Sequence, residues 1–311
     1  MIDLIIPYYN NLEGLATTLA SINYDIFDVT IVDDGSNSAM SLPETSKCDI
    51  ILTENGGPGY ARQIGIMWTE NDYIMFIDTG DIFVSKEIQK KIPRVIQANP
   101  NANLISFPYY YKDKITGDSD NRMHGKIYKR SFIDKYDITF CMESSYMNED
   151  IGFNRTCRLC TNAELIPIVY MSNPIIKWIE NENSLTCKNN HTALYRDQTR
   201  ALSLNAIHTI NICRKNNINP ETEINQIAIA LYYWFVRTAA ENPTYIQDAW
   251  DGARIFYKYF EKEIYPNKLS LGNQRLKQCL YYRGKVSFTI NILRFAHDIL
   301  TNEIIPNNYL T

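Results

Sequence analysis

Three observations on this 311-residue chain predict an α/β fold, a mostly parallel sheet covered on both faces, followed by a helical module. Over the first hundred residues, short and continuously apolar strands alternate with helix-period segments, as a sheet buried on both faces requires. The polar and glycine-rich tips fall just after the strand ends, the edge at which open α/β sheets bind ligands. Beyond about residue 190 the strand signals stop and helical periodicities take over.

The elements follow in order. "DLIIP" (3–7) is a first strand. "NNLEGLATTLASI" is a helix with Asn10 as N-cap and Glu13 three residues on, and Leu12, Leu15, Ala16, Leu19 and Ile22 form one apolar stripe. "DVTIV" (28–32) and "DIILT" (49–53) are strands ending in "DDGSN" and "ENGGPG". A helix over 58–69 leads to the strand "YIMFI" (73–77). "SKEIQKKIPRVIQAN" (85–99) reads as a helix bent at Pro93, and "ANLISFPYY" as a strand. The charged stretch 112–123 reads as a mobile loop and "GKIYKR" as a strand. "NEDIGFNRTCRLC" (148–160) reads as a helix with two acids in its dipole-favoured first turn. "AELIPIVYM" and "IIKWIE" add strand-like segments, and 192–216, 221–241, 247–263 and 285–301 read as helices. The expected domains are 1–190 and 191–311.

A formal net charge of -4 gives no bulk attraction to nucleic acid. The start, "MIDLIIPYYN", reads as a strand and not as a signal peptide, and "IAIALYYWFV" (227–236) falls short of the roughly 18–20 apolar residues that cross a bilayer. A soluble, cytoplasmic protein without a transmembrane segment is the expectation. Of seven cysteines, only Cys157 and Cys160 have metal-like spacing, and no second pair follows, so two helix-face thiols are the better reading than zinc.

The chemistry gathers at the strand tips. Asp78 directly follows five apolar residues, where an unpaired charge is expensive, and Asp81 stands across a Thr-Gly turn. A hard cation such as Mg²⁺ or Mn²⁺ would relieve that cost and also hold a diphosphate. Asp33 and Asp34 sit in a turn suited to a base or ribose, while Gly56, Gly57 and Gly59 permit close backbone approach. The helix starting near Gly59 aims its N-terminus at the rim, and Arg62 lies one turn inside. Singly these are a turn acid, loop glycines and a surface arginine. Together, with Pro7 and Tyr9, they suggest a nucleotide diphosphate bound with a metal.

An ordered series carries a family likeness: "IIPYYNN", "VDDGS", "ENGGPGYARQIGI", "DYIMFIDTGD", "GKIYKRSFI", "NEDIGF" and "IIKWIENENSLT". The series resembles the family 2 glycosyltransferases, which have the GT-A fold, a Rossmann-like mixed sheet covered by helices, and use nucleotide-activated sugars. The resemblance spans about 185 residues and leaves the helical remainder outside. It implies that Pro7, Tyr9 and Asp33 surround the nucleobase, most often uracil, with Asp34, Gly57, Arg62 and Asp78 also around the nucleotide. It implies Asp150 as general base with Glu149 beside it, and inverting transfer from a UDP-sugar to an acceptor hydroxyl by single displacement. Mn²⁺ or Mg²⁺ would be held by Asp78 and Asp81. The family turn reads Asp-x-Asp-Asp, whereas Asp78-Thr79-Gly80-Asp81 lacks a side chain at the third position, normally the principal metal ligand. Either Asp81 replaces it, or the cation is weakly held, water-mediated or absent.

Two rival readings stay open: a catalytically silent nucleotide-sugar or carbohydrate-binding protein, and a scaffold subunit acting through its helices. The acceptor is unassigned among glycan, protein, lipid-linked intermediate and nucleobase. His124 reads as an exposed loop residue or one facing the acceptor, His191 as a loop histidine at a place where some relatives of the resembled family have a further metal or phosphate contact, His208 and His297 as structural ones, and Trp178 as either a sugar platform or core. "LYYWF" (231–235) reads as a buried helix or a contact with another subunit, which would make a homo-oligomer.

Overall fold

The computed structural model describes residues 1–37, 43–116, 122–179, 192–264, 292–302 and 304–305. The chain divides into two compact units, Met1–Asn181 and Glu182–Thr311. The expected boundary at 190/191 falls outside the described residues.

The first unit opens with β1 (Ile2–Tyr8), α1 (Leu12–Ser21), β2 (Phe27–Asp34), β3 (Asp49–Thr53), α2 (Pro58–Trp68) and β4 (Tyr73–Phe76). These four strands are parallel, and the β1–β2 register sets Tyr8 against Asp33. Leu4, Ile6, Leu15, Leu19, Val29 and Ile31 are buried in one cluster, each contributing roughly 1.5–3 kcal/mol. The cap of α1 is Asn11, not Asn10: the Asn11 side chain accepts the Gly14 N–H at 3.0 Å. Asn10 is in the left-handed region and accepts the Asn37 N–H instead, which ties the β1 and β2 tips together.

The segment expected to be one bent helix is two, α3 (Lys86–Gln89), capped by Ser85, and α4 (Ile92–Ala98), with Pro93 in its first turn. Proline lacks an N–H, so it sits where a helix begins and breaks the continuous one. Likewise "ANLISFPYY" splits at Phe107-Pro108 into β6 (Leu104–Ser106) and β7 (Tyr109–Tyr111), which join different sheets. The stretch read as a mobile loop holds β8 (Lys114–Thr116), a hairpin partner of β7, while 117–121 lie outside the described residues. Next come β9 (Lys126–Lys129), α5 (Arg130–Tyr136), absent from the sequence reading, and α6 (Glu149–Ala163). The strand β9 runs antiparallel between β4 and β6, giving a seven-stranded mixed sheet that ends at β10 (Val169–Tyr170). A second sheet has the order β5 (Ile82–Phe83), β11 (Ile176–Trp178), β7, β8. Cys157 and Cys160 are buried free thiols on α6.

The second unit contains α7 (Thr192–Lys215), α8 (Glu221–Glu241), α9 (Ile246–Tyr259) and α10 (Ile292–Thr301). Its core is aromatic: Phe235, Trp250, Phe256 and Phe295 are buried, with Trp250 edge-on to Phe295 at 5.6 Å. Leu231, Tyr232 and Phe235 of "LYYWF" are buried within this unit and Tyr233 and Trp234 are half-buried, so the run is mainly helix core. His208 and His297 lie in α7 and α10. No described helix is long and apolar enough to cross a membrane.

Candidate active site

The carboxyl ends of β1, β2 and β4 share one rim, and the β2 tip organises it. Asp33 and Asp34 are the last residues of β2 and both are buried. Asp34 Oδ1 accepts the Gly56 N–H at 2.7 Å and Oδ2 accepts the Gly57 N–H at 2.9 Å. Such charge-assisted bonds offset desolvation of a buried carboxylate. Burial still lifts the Asp34 pKa above its ordinary value, against the two amides. Asp33 Oδ1 accepts the Ser36 N–H at 2.9 Å. Pro7 receives a hydrogen bond on its carbonyl from the Thr79 hydroxyl at 2.6 Å, and Tyr9 is exposed beside this rim.

The glycine loop meets the segment before α6. Gly57 has φ 91°, and a Cβ there would lie 2.9 Å from the Tyr146 ring and 3.0 Å from the Ser145 carbonyl. Only glycine allows that backbone with this approach. Gly59 N–H donates to the Ser145 carbonyl at 2.9 Å, and the Tyr146 hydroxyl donates to Asn55 Oδ1 at 2.6 Å. The amides of Gly56, Gly57 and Gly59 therefore serve acceptors of the protein itself, where the sequence pattern had suggested a phosphate. Asp34 takes the place of that anion for two of them. Tyr146 escaped the sequence reading; its one signal was an aromatic residue three positions before Glu149.

Arg62 joins the two halves of the site. Its guanidinium is 3% exposed, donating to Asp78 Oδ1 at 2.6 Å and to Glu149 Oε1 at 2.8 Å. It is not a surface residue. Burial alone would lower its pKa, but Asp78 and Glu149 raise it above the ordinary arginine value. Burial and then the neighbouring Asp150 charge push Glu149 up to about 7, against Arg62. Asp150, half-buried in the first turn of α6, is also raised, with burial the main cause. Beneath α6, Tyr128 donates to Asn154, and Phe140 stacks on Phe153 at 4.3 Å, which fixes the helix that carries both acids.

The Asp78–Asp81 turn is held by Thr18, whose hydroxyl accepts from Gly80 N at 2.9 Å and donates to the Asp81 carbonyl at 2.8 Å. Asp78 remains 42% exposed at its side chain. Burial would raise its pKa, but Arg62 and then His124 hold it below the ordinary carboxylate value. Asp81 Oδ1 accepts the Ile179 N–H at 3.0 Å, while Oδ2 lies 3.1 Å from His124 Nε2. His124, read as a loop residue, is buried against the rings of Tyr109 and Trp178, at 4.9 and 5.1 Å. Asp78, Asp81 and His124 each offer a ligand atom, all within 4.8 Å of one another. Oxygen donors with one imidazole suit a divalent cation. Trp178 also stacks on Tyr111 at 4.4 Å, with the Arg122 guanidinium over its ring. His191 lies outside the described residues.

Residues 3–150 match the model of Glycosyl transferase family 2. These residues form a family 2 glycosyltransferase domain. Among curated relatives, the domain is 28% identical over 114 residues to an uncharacterized glycosyltransferase of Haemophilus influenzae, covering 35% of this chain and 38% of that one. It is 35% identical over 103 residues to the amylovoran biosynthesis glycosyltransferase AmsB of Erwinia amylovora, covering 29% and 34%. The matches thus span little more than a third of those relatives. The crystal structure of S. aureus TarS 1–349 in complex with UDP superposes with TM-score 0.62 at 16% identity, covering 96% of this chain and 90% of that one. Mannosyltransferase PcManGT of Pyrobaculum calidifontis, in complex with GDP-Man and Mn²⁺, gives 0.51 at 12% identity, covering 95% and 85%. The glycosyltransferase domain has the GT-A fold, in a chain that also carries C-terminal helices.

Proposed function

We propose that the chain is an inverting glycosyltransferase that moves a hexosyl or N-acetylhexosaminyl group from a UDP-sugar to an acceptor hydroxyl. The observation that carries this reading is the Arg62 bridge. One buried guanidinium holds the donor-side turn, through Asp78, to the acid pair of α6, through Glu149. Elements 87 residues apart at Arg62 and Glu149 are thereby joined.

Asp33 and Tyr9 at the β1 and β2 tips would take the nucleobase. Asp78 and Asp81 would hold Mn²⁺ or Mg²⁺, whose charge neutralises a departing diphosphate. Glu149 is buried and committed to Arg62, so the half-buried Asp150 is the acid able to reach an acceptor. Asp150 takes the hydroxyl proton as oxygen attacks the anomeric carbon and the bond to UDP breaks. A single displacement inverts that carbon. The raised Asp150 pKa suits a base, since it brings proton affinity closer to neutrality. Support for the donor comes from fold relatives: TarS has been crystallised with UDP and with UDP-GlcNAc. We place the activity in the cytoplasm, where nucleotide sugars are made.

The test is a panel of nucleotide sugars with Mn²⁺, reading diphosphate release. Asp150→Asn should lower turnover by about 10²–10⁴ while UDP affinity persists. Saturable sugar-nucleotide binding with no turnover in either protein would favour the silent binder, the reading that the missing side chain at Gly80 supports.

A further inference from the structure

We propose that His124 is a direct ligand of the cation and replaces the carboxylate missing at Gly80. The inference rests on the reading that a divalent cation works at this rim. The third position of the turn offers no ligand. Gly80 has φ 105°, a conformation L-residues rarely adopt, although no atom lies within 4 Å of where a Cβ would be. A side chain there would have room but would strain the backbone.

The missing donor arrives from the segment that leads into β9. His124 is 9% exposed and Asp81 is 3% exposed. Asp81 Oδ2, His124 Nε2 and His124 Nδ1 are buried without a hydrogen-bond partner among the described residues. Nε2 and Oδ2 face each other at 3.1 Å, within ion-pair distance. Buried polar atoms are ordinarily satisfied, and one ion shared by Oδ2 and Nε2 would satisfy both of these, Nδ1 lying on another side of the ring. Two ligands at about 2.1 Å from one ion and at right angles lie about 3.0 Å apart, which matches this pair. The other Asp81 oxygen is held by Ile179 N–H, and the His124 ring packs against Tyr109 and Trp178. Asp81 is thus oriented by a backbone hydrogen bond, as metal ligands are, and His124 by aromatic packing. Asp78 gives one oxygen to Arg62 and has a second for the ion.

An imidazole donor changes which ion is preferred. Nitrogen favours Mn²⁺, Co²⁺ and Zn²⁺ over Mg²⁺, which prefers oxygen. The site should then bind Mn²⁺ more tightly than Mg²⁺, which keeps to oxygen donors.

The full-length chain, stripped of metal and saturated with UDP, is titrated with Mn²⁺ and read by electron spin echo envelope modulation. Wild type should show nitrogen-14 coupling that disappears when the protein is grown with nitrogen-15 histidine, a control that leaves the sequence intact. His124→Gln should lose the coupling and weaken Mn²⁺ binding by about 10–100-fold. Coupling that survives His124→Gln and vanishes in His191→Gln overturns the proposal. So does bound Mn²⁺ without histidine coupling, or no Mn²⁺ bound at all. UDP binding and sugar turnover are scored separately, so a protein with histidine-coupled Mn²⁺ and no turnover refutes the transferase reading alone.

Discussion

Replacing Arg62 by Met keeps an apolar stem of similar reach and removes the charge between Asp78 and Glu149. The cost depends on pH, because the two acids differ in environment. Asp78 is 42% exposed at its side chain, so water takes over its solvation and the lost pair is worth about 1 kcal/mol at most. Glu149 is 9% exposed, and its pKa already stands at about 7 with Arg62 present, through burial and then Asp150. Without Arg62 it rises further. A carboxyl with a raised folded pKa contributes stability fully below its unfolded value, near 4.3, and loses it as pH climbs through the folded pKa. Between those values Glu149 is protonated in both proteins and the variant loses little beyond the Asp78 contact. Above about 7 the wild type has ionised Glu149 against Arg62, whereas the variant must keep it protonated or bury it unpaired. The expected deficit is therefore about 1 kcal/mol at pH 6 and about 3 kcal/mol at pH 8.5. Urea unfolding in chelator reads it: with a slope near 2 kcal/mol/M, the midpoint falls by about 0.5 M and about 1.5 M. Measured against Glu149→Gln alone, the Arg62→Met change should then cost the same at both pH values. Equal deficits at both pH values, or a double variant with the same pH dependence, would refute the argument.

Other perturbations test separate parts of the structure. Asp34→Asn turns one acceptor into a donor facing the Gly56 or Gly57 amide, so about 1.5–3 kcal/mol should be lost in urea unfolding, with weaker UDP binding by calorimetry. Gly65 on α2 packs against Ile5 with no room for a methyl group, and Gly65→Ala should cost about 1–3 kcal/mol; an unchanged melting temperature would show that the helix can retreat from β1. Glu164 is opposed by burial but held below its ordinary pKa by hydrogen bonds from Lys135, Asn103 and Tyr136. Its contribution is present above the unfolded carboxylate value and lost as pH falls through the lower folded one, so Glu164→Gln should cost stability at pH 7 and close the gap on acidification, measured by thermal melts.

What was legible in the sequence was what local pattern encodes. Continuous apolar runs marked β1 to β4, and their polar ends marked Asp33, Asp34 and Asp78 as rim residues. The helical remainder followed from periodicity alone. The antiparallel placement of β9 was not readable, because "GKIYKR" has the same apolar pattern whichever way it runs between β4 and β6. Nor could spacing show that Arg62 is buried between acids, since one of its partners is 87 residues away. His124 looked like loop because it follows the charged stretch 112–123 and precedes a glycine. Its burial comes from Tyr109 and Trp178, strand residues that no local window joins to it. The capping residue moved from Asn10 to Asn11 for a tertiary reason too, since Asn10 is recruited by the β2 tip.

These departures share a consequence for how the site would hold its donor. A glycine loop at a helix N-terminus commonly binds phosphate through its amides. Here Asp34 and the Ser145 carbonyl already occupy the amides of Gly56, Gly57 and Gly59, and Arg62 is neutralised by Asp78 and Glu149. Asp78, Asp81, Glu149 and Asp150 thus gather around one guanidinium and one imidazole. An excess of carboxylates repels a diphosphate at short range. On the proposed reading the attraction must then come from the cation, which turns the Asp78–Asp81–His124 corner from an acidic pocket into the anchor for the leaving group. The orphaned atoms of Asp81 and His124 are consistent with that division of labour: the loop amides shape the cleft, Arg62 aligns its two sides, and the metal corner supplies the grip.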